Sequence, residues 1–199
     1  MAKHDFENSF FYRHILSALM HPQVRRLCRK YPFLKVRNVC TGKFMGYSCS
    51  MLDWLPEGWR KAFGDQLAED IARALKADKI KKSKWAKSVY WYDIKEKYGT
   101  LRLYASTTDK VQEVLDKYEA MSYGYCIECG KPARYITEGW ISYQCETCAK
   151  EHDHKRRLTK KDLPVYVLYD NNEEKEISIK DRYNIDLEKL WGLKNGKKQ

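Results

Sequence analysis

Four cysteines carry the clearest chemistry in the chain: Cys126-Ile-Glu-Cys129 and Cys145-Glu-Thr-Cys148, two CxxC pairs separated by fifteen residues. Two residues between paired cysteines let both thiolates reach one ion from a tight turn, and this separation suits a tetrahedral zinc site. Gly130 follows the first pair, where such a turn often needs a positive φ. Four protein thiolates close the coordination sphere and leave no position for water, so the expected role of one Zn2+ here is folding rather than catalysis. An iron centre or redox thiols would use the same residue types. His152 and His154 lie close enough in sequence to be substitute ligands, or they occupy an exposed helix face.

Two other groups of residues invite a chemical reading. Asp93 and Lys95 are two apart on an expected strand, so they project to one face and could serve a metal and a water in a nuclease. A second acid is then required, and Asp53, Asp65, Glu69 and Asp70 are unexceptional candidates; alternating charge on an exposed strand is the simpler account. Basic clusters occur at Arg25–Lys30, Lys79–Lys87 and Lys155–Lys161. The middle one sets Trp85 among five lysines, with Lys81, Lys82 and Lys84 nearest. Lysines neutralise phosphates while a ring stacks a base, a recipe for sequence-tolerant strand binding. The competing reading is a solvated linker with Trp85 anchored in the core. Arg156 and Arg157, beside the cysteine module, extend the basic character. Tyr90, Trp91, Tyr92, Tyr98 and Tyr104 could stack bases too, although core packing accounts for alternate members.

Several elements must position these groups. Phe11, Ile15, Ala18 and Leu19 recur at helical spacing from Ser9, and His21-Pro22 starts a second short helix. Between Leu34 and Met51, Val36, Val39, Phe44 and Tyr47 punctuated by Thr41-Gly42 and Gly46 predict short strands. Trp59, Phe63, Leu67, Ile71, Ala74 and Leu75 line one face of a helix over Glu57–Ala77. Ser88–Thr107 reads as a β-hairpin around Lys-Glu-Lys-Tyr-Gly, and Asp109 caps a helix through Met121. Within the cysteine module, Ala133–Thr137 and Trp140–Gln144 form a hairpin, and Ala149–Leu158 continues as a helix. Knuckle, hairpin and helix together resemble a treble-clef or zinc-ribbon finger. Leu163–Asp170 and Glu174–Lys180 predict a second hairpin, Asp186–Trp191 a short helix, and Lys194–Gln199 a frayed polar tail.

The expected fold class is therefore α+β: helices packed on a small antiparallel sheet, with a four-cysteine module and a C-terminal hairpin. The expected division is a core domain over 1–122, a zinc module over 123–160 and a C-terminal segment over 161–199. With 43% hydrophobic residues the 199-residue chain can bury a core, which excludes wholesale disorder. No export signal or membrane-length apolar run is read in the sequence, so a cytoplasmic setting is expected. There Cys28, Cys40 and Cys49 read as buried reduced thiols. The net charge of +11 is uneven: residues 1–60 carry +6, whereas residues 163–199 are neutral. Such a surface attracts phosphate backbones or acidic proteins.

The stretch Ile94-Lys-Glu-Lys-Tyr-Gly-Thr-Leu-Arg-Leu-Tyr104, followed by the paired CxxC motifs, resembles a group of uncharacterised bacterial and phage proteins that join a KEKFGTLRFY-like segment to a zinc module. The similarity covers about residues 52–150, with Tyr98 in place of the usual Phe. It implies zinc and a phage or mobile-element setting, without an activity. The leading expectation is a noncatalytic, zinc-stabilised binding protein that engages nucleic acid or a nucleic-acid-processing complex through Lys81, Lys82, Lys84, Trp85, Arg156 and Arg157. A protein-directed effector that blocks a host enzyme or defence system is the alternative partner class, and a metal-dependent nuclease the third.

Overall fold

In the computed structural model, which describes residues 9–170 and 173–193, the chain divides into two units. The first takes the chain up to Pro56 with Phe63–Lys95 and Arg102–Asp116; the second takes Glu57–Ala62, Glu96–Leu101 and everything from Lys117 on. Both combine helices with small sheets. The residues before Ser9 and the expected tail at Lys194–Gln199 lie outside the described residues.

In the first unit, a π-type turn over Tyr12–Leu16 leads into helix α1 (Ser17–Met20), and α2 (Pro22–Lys30) starts on its proline, whose fixed φ suits a first helical turn. The strands expected between Leu34 and Met51 are not formed. Only isolated bridges, Lys35 to Ser50 and Arg37 to Phe44, tie that segment together. Asn38 turns the chain first: its side-chain oxygen accepts from Thr41 N–H at 2.8 Å, its carbonyl accepts from Gly42 N–H at 2.7 Å, and Gly42 and Gly46 take positive φ. A ladder cannot propagate through such bends. A capping box between Ser50 and Asp53 then holds a 3-10 turn over Met51–Trp54.

The long helical segment begins with one turn at Glu57–Trp59, widens into a π-type turn at Arg60–Gly64 and continues as α3 (Asp65–Ala77). Its expected inward face is buried, including Leu67, Ile71 and Leu75. Lys79, at φ 58°, ends α3 in the left-handed conformation that glycine usually supplies, with Ile80 N–H donating back to Leu75 O at 3.0 Å. The short helix α4 (Trp85–Ser88) precedes strands β1 (Tyr90–Lys97) and β2 (Thr100–Ser106), which form a two-stranded sheet. Their turn is only Tyr98-Gly99, both at positive φ, as the tightest β-hairpin turns require. Helix α5 (Asp109–Met121) is capped one residue earlier than expected: Thr108, not Asp109, offers its oxygens to the N–H groups of Val111 and Gln112.

The second unit holds the cysteine module. Strands β3 (Tyr135–Thr137), β4 (Tyr143–Gln144) and β5 (Lys155–Arg157) form an antiparallel sheet with β3 in the centre. The helix expected over Ala149–Leu158 is absent: a 3-10 turn covers Cys148–Glu151, and the chain then pairs as β5 with Thr137, Ile136 and Tyr135. Only Ala149 and Leu158 are apolar in that stretch, so a helix there would have no stripe to bury, whereas the strand occupies the free edge of β3. Strands β6 (Val165–Asp170) and β7 (Glu173–Ser178) pair antiparallel, Val165 opposite Ser178, with residues 171–172 outside the description. Two short helices follow, α6 (Ile179–Tyr183) and α7 (Leu187–Trp191), the latter capped by Asp186, whose carboxylate accepts from Lys189 N–H at 2.9 Å.

Residues from 123–160 and from 161–193 share one core. Ala133, Tyr143 and Leu158 are buried with Ile179, Leu187 and Trp191; the Tyr143 and Trp191 rings stack at 6.1 Å, and the Trp191 indole N–H donates to Tyr123 O at 2.9 Å. Among the described residues, no helix is long and apolar enough to cross a membrane.

Candidate metal centre

The first cysteine pair sits in a turn that the backbone closes on itself. Cys126 N–H donates to Lys131 O at 2.8 Å, Gly130 N–H donates to Cys126 O at 3.0 Å, and Gly130 takes φ 77°. A Cβ at Gly130 would also stand 2.5 Å from Gly58 O, so glycine is required twice over. The second pair follows β4: Ala149 N–H donates to Cys145 O at 3.0 Å, and Cys148 N–H approaches Cys145 Sγ at 3.4 Å. Because β4 pairs with β3, whose chain leads directly from the first turn, the two pairs are brought face to face.

The four Sγ atoms lie within 4.8 Å of one another, and those of Cys129 and Cys145 are 3.5 Å apart. A tetrahedron of thiolates at the usual zinc distance has edges of about 3.8 Å, so the cage fits a metal ion of that size. Among the described residues it is the one cluster of at least three His, Cys, Asp or Glu ligand atoms so arranged. Cys126 and Cys145 are buried, Cys129 and Cys148 partly exposed, and all are free thiols. Burial pushes the Cys126 and Cys148 thiols up. Burial opposes ionisation of Cys145 as well, but hydrogen bonds from Cys148 N–H and the neighbouring thiols outweigh it and bring Cys145 down to about 7. Four sulfurs this close cannot all ionise unless a cation replaces the protons, which is what a bound metal supplies.

A polar residue without any motif braces the cage. Gln144, 1% exposed, accepts from the Cys126 thiol at 3.2 Å and donates to Glu128 Oε1 at 3.0 Å and Ser142 Oγ at 2.9 Å. His152 is not a ligand: its Nε2 lies 3.4 Å from Glu128 Oε1. His154 is outside the cluster as well. Gly58 is the second residue that sequence reasoning passed over. Its N–H donates to Ile127 O at 2.8 Å, and Trp59, fully buried, donates its indole N–H to Tyr125 O at 3.3 Å. The helical turn at Glu57–Trp59 is thereby bonded to the first cysteine turn.

Of the other expected site residues, Lys81, Lys82, Lys84, Trp85, Asp93 and Lys95 belong to the first unit, and Arg156 and Arg157 to the second. Lys81, Lys82 and Lys84 are exposed on the 3-10 turn that leads into α4, and among the described residues none of them, nor Lys87, is ion-paired. Trp85 cannot stack a base: it is 4% exposed, donates its indole N–H to Ile80 O at 3.0 Å and tilts against Phe33 at 6.2 Å. Arg156 is committed to a two-pronged pair with Asp162 at 2.9 and 2.6 Å, and Arg157 lies over the Tyr135 ring at 5.7 Å; both are on a strand rather than on a basic helix. Asp93 pairs with Lys95 at 2.5 Å and belongs to no carboxylate cluster among the described residues. Cys28 is buried, which pushes its thiol up to about 11, and Cys49 is partly buried; Cys40 is exposed, against expectation, because it lies in the turn that Asn38 organises.

No known protein family, curated protein or solved structure matches the chain.

Proposed function

We propose that this chain is a noncatalytic binding protein, held together by one structural zinc ion at Cys126, Cys129, Cys145 and Cys148, that engages nucleic acid through a basic surface. Zinc is favoured because four thiolates in a closed tetrahedron match its ligand preference and leave no position for substrate. The β3–β4–β5 sheet beside the two cysteine turns supports a zinc-ribbon-like module over a treble clef, whose helix would follow Cys148. Four thiolates are preserved in a reducing compartment, in keeping with a cytoplasmic setting, and a phage or mobile-element origin is part of the same proposal.

The observation that carries the nucleic-acid reading is the ridge formed by Lys81, Lys82, Lys84 and Lys87: four exposed ammonium groups in seven residues, with no carboxylate partner among the described residues. Like charges held this close repel, and a polyanion relieves that repulsion while releasing its own counterions. Binding of a fluorescent single-stranded oligonucleotide, followed by anisotropy across a salt series, tests it. Replacing Lys81, Lys82 and Lys84 with Gln should weaken binding and flatten the salt slope by about 2, at roughly 0.7 for each phosphate no longer neutralised. No binding at low salt, or an unchanged slope in the variant, contradicts the reading.

A second reading, a protein-directed effector, is favoured by Trp140, which is 81% exposed beside the exposed Ile141 on the loop between β3 and β4. An uncovered Trp is a typical anchor of a protein interface. Capture of a host protein that survives nuclease treatment and is lost in Trp140→Ala would support it. The nuclease reading has no comparable support, since Asp93 belongs to no carboxylate cluster among the described residues.

A further inference from the structure

With Trp85 in the core, the lysine ridge needs another surface for the bases of a bound strand. One adjoins it within the same unit. Ala86, inside the ridge, lines a shallow cleft together with Lys35, Arg37, Trp54, Tyr90 and Tyr92. Trp54 is 44% and Tyr92 50% exposed, and the Tyr90 and Tyr92 rings meet edge to face at 5.5 Å. Among the described residues no carboxylate lines the cleft: Asp53, next to Trp54, is turned into its capping box with Ser50. Tyr90 is fixed by its hydroxyl, which donates to Val39 O at 2.9 Å, and Arg37 by donating to Gly42 O at 3.1 Å. Tyr90, against whose ring Tyr92 packs, and Arg37 are therefore presented rather than loose. The enclosed space is only about 20 Å³, too small to swallow a ligand, so an occupant lies across the rim against the exposed ring faces.

We infer that this cleft is the base-stacking subsite of a single-stranded nucleic-acid path, with Trp54 and Tyr92 taking bases, Lys35 and Arg37 taking the adjoining phosphates, and the ridge at Lys81–Lys87 carrying the strand onward. The inference rests on the nucleic-acid reading above and adds to it where the bases go. Planar π-faces combined with cations and no acid match a strand that offers bases and phosphates alternately, and stacking of this kind tolerates any base. The other exposed Trp lacks that setting. Trp140 stands between Gly139 and Ile141 with Glu138 close by in the chain, and no lysine or arginine lies within two residues of it.

The test uses the full-length, metal-loaded protein with a 20-nucleotide oligothymidylate and an abasic strand of the same length and charge. The parent protein should bind the abasic strand roughly 100-fold more weakly, about tenfold for each of the two stacked bases. Trp54→Ala should lose roughly tenfold on oligothymidylate and nothing further on the abasic strand, with the salt slope unchanged, while Trp54→Phe restores most of the loss and Trp140→Ala changes neither. Equal affinity for the two strands, or a Trp54→Ala loss of the same size on both, overturns the stacking subsite. If the lysine variant still weakens binding in that case, the nucleic-acid reading stands without the subsite; if neither strand binds at low salt, both fall.

Discussion

The backbone N–H of Gly58 donates to the carbonyl oxygen of Ile127 at 2.8 Å, an approach that leaves no room for a side chain at residue 58. A methyl group there would overlap Cys126 O and stand 2.5 Å from Ile127 O. Both obstacles are backbone, and both belong to the turn that carries Cys126 and Cys129, so neither can yield without moving a ligand. Gly58→Ala should cost about 1–3 kcal/mol of stability, the usual range for overpacking a tight site, and should weaken metal retention with it. Urea unfolding combined with metal analysis of the variant checks this; a variant as stable and as metal-rich as the parent would contradict the coupling.

Gln144 makes a second prediction. Its buried amide N–H groups donate to Glu128 in the first cysteine turn and to Ser142, ties that persist when Cys126 gives up its proton to the metal, so Gln144→Ala releases that turn from β4 and leaves a buried acceptor without its donor. Loss of such a supporting residue commonly lowers metal affinity by about 10- to 100-fold. Competition with a chromophoric chelator measures it, and an affinity equal to the parent's would mean that the cage stands without this support.

Tyr98 occupies φ 53° in a two-residue turn while its ring is 71% exposed. A side chain in this region costs on the order of 1 kcal/mol, and Asn tolerates it better than an aromatic residue. Tyr98→Asn should therefore raise the melting temperature, because little ring burial is surrendered. A lowered melting temperature would show that the ring contributes more than its exposure indicates.

The pair of Arg156 and Asp162 sets a pH dependence. The guanidinium holds the Asp162 carboxyl down to about 2, helped by Thr159 N–H and hydroxyl, against about 3.9 in an unfolded chain. Since the folded value is the lower one, the stabilisation is complete above about pH 4 and is lost as the pH falls through about 2. The stability gap between the parent and Arg156→Met should be about 1 kcal/mol near neutrality and shrink towards zero near pH 2, both chains being compared at each pH so that acid effects on the cysteine cage, with or without a metal, cancel. A gap that does not change with pH would rule the pair out as its source.

The cysteine cage was legible because ligand chemistry is local: two residues between each pair and a glycine after the first state the geometry directly. The α3 face and the β1–β2 alternation were legible for the same reason, since periodicity is a property of neighbours. What stayed hidden depends on residues far apart in sequence. Whether Trp85 faced solvent was decided by Phe33, some fifty residues earlier. Lys155–Arg157 became a strand because β3, eighteen residues upstream, had an edge to fill. Gly58 looked like an ordinary helix glycine until the cysteine turn was set against it, and the Tyr98 turn was masked by an aromatic residue where Asn or Gly is the usual signal.

X-ray absorption at the zinc edge, on protein purified under reducing conditions without added metal, addresses the tetrathiolate directly. One zinc per chain with four sulfur neighbours at about 2.3 Å is the predicted spectrum, and it should lose sulfur neighbours in Cys145→Ser. Protein that is fully folded yet holds no metal, or a metal shell dominated by nitrogen and oxygen, would contradict it.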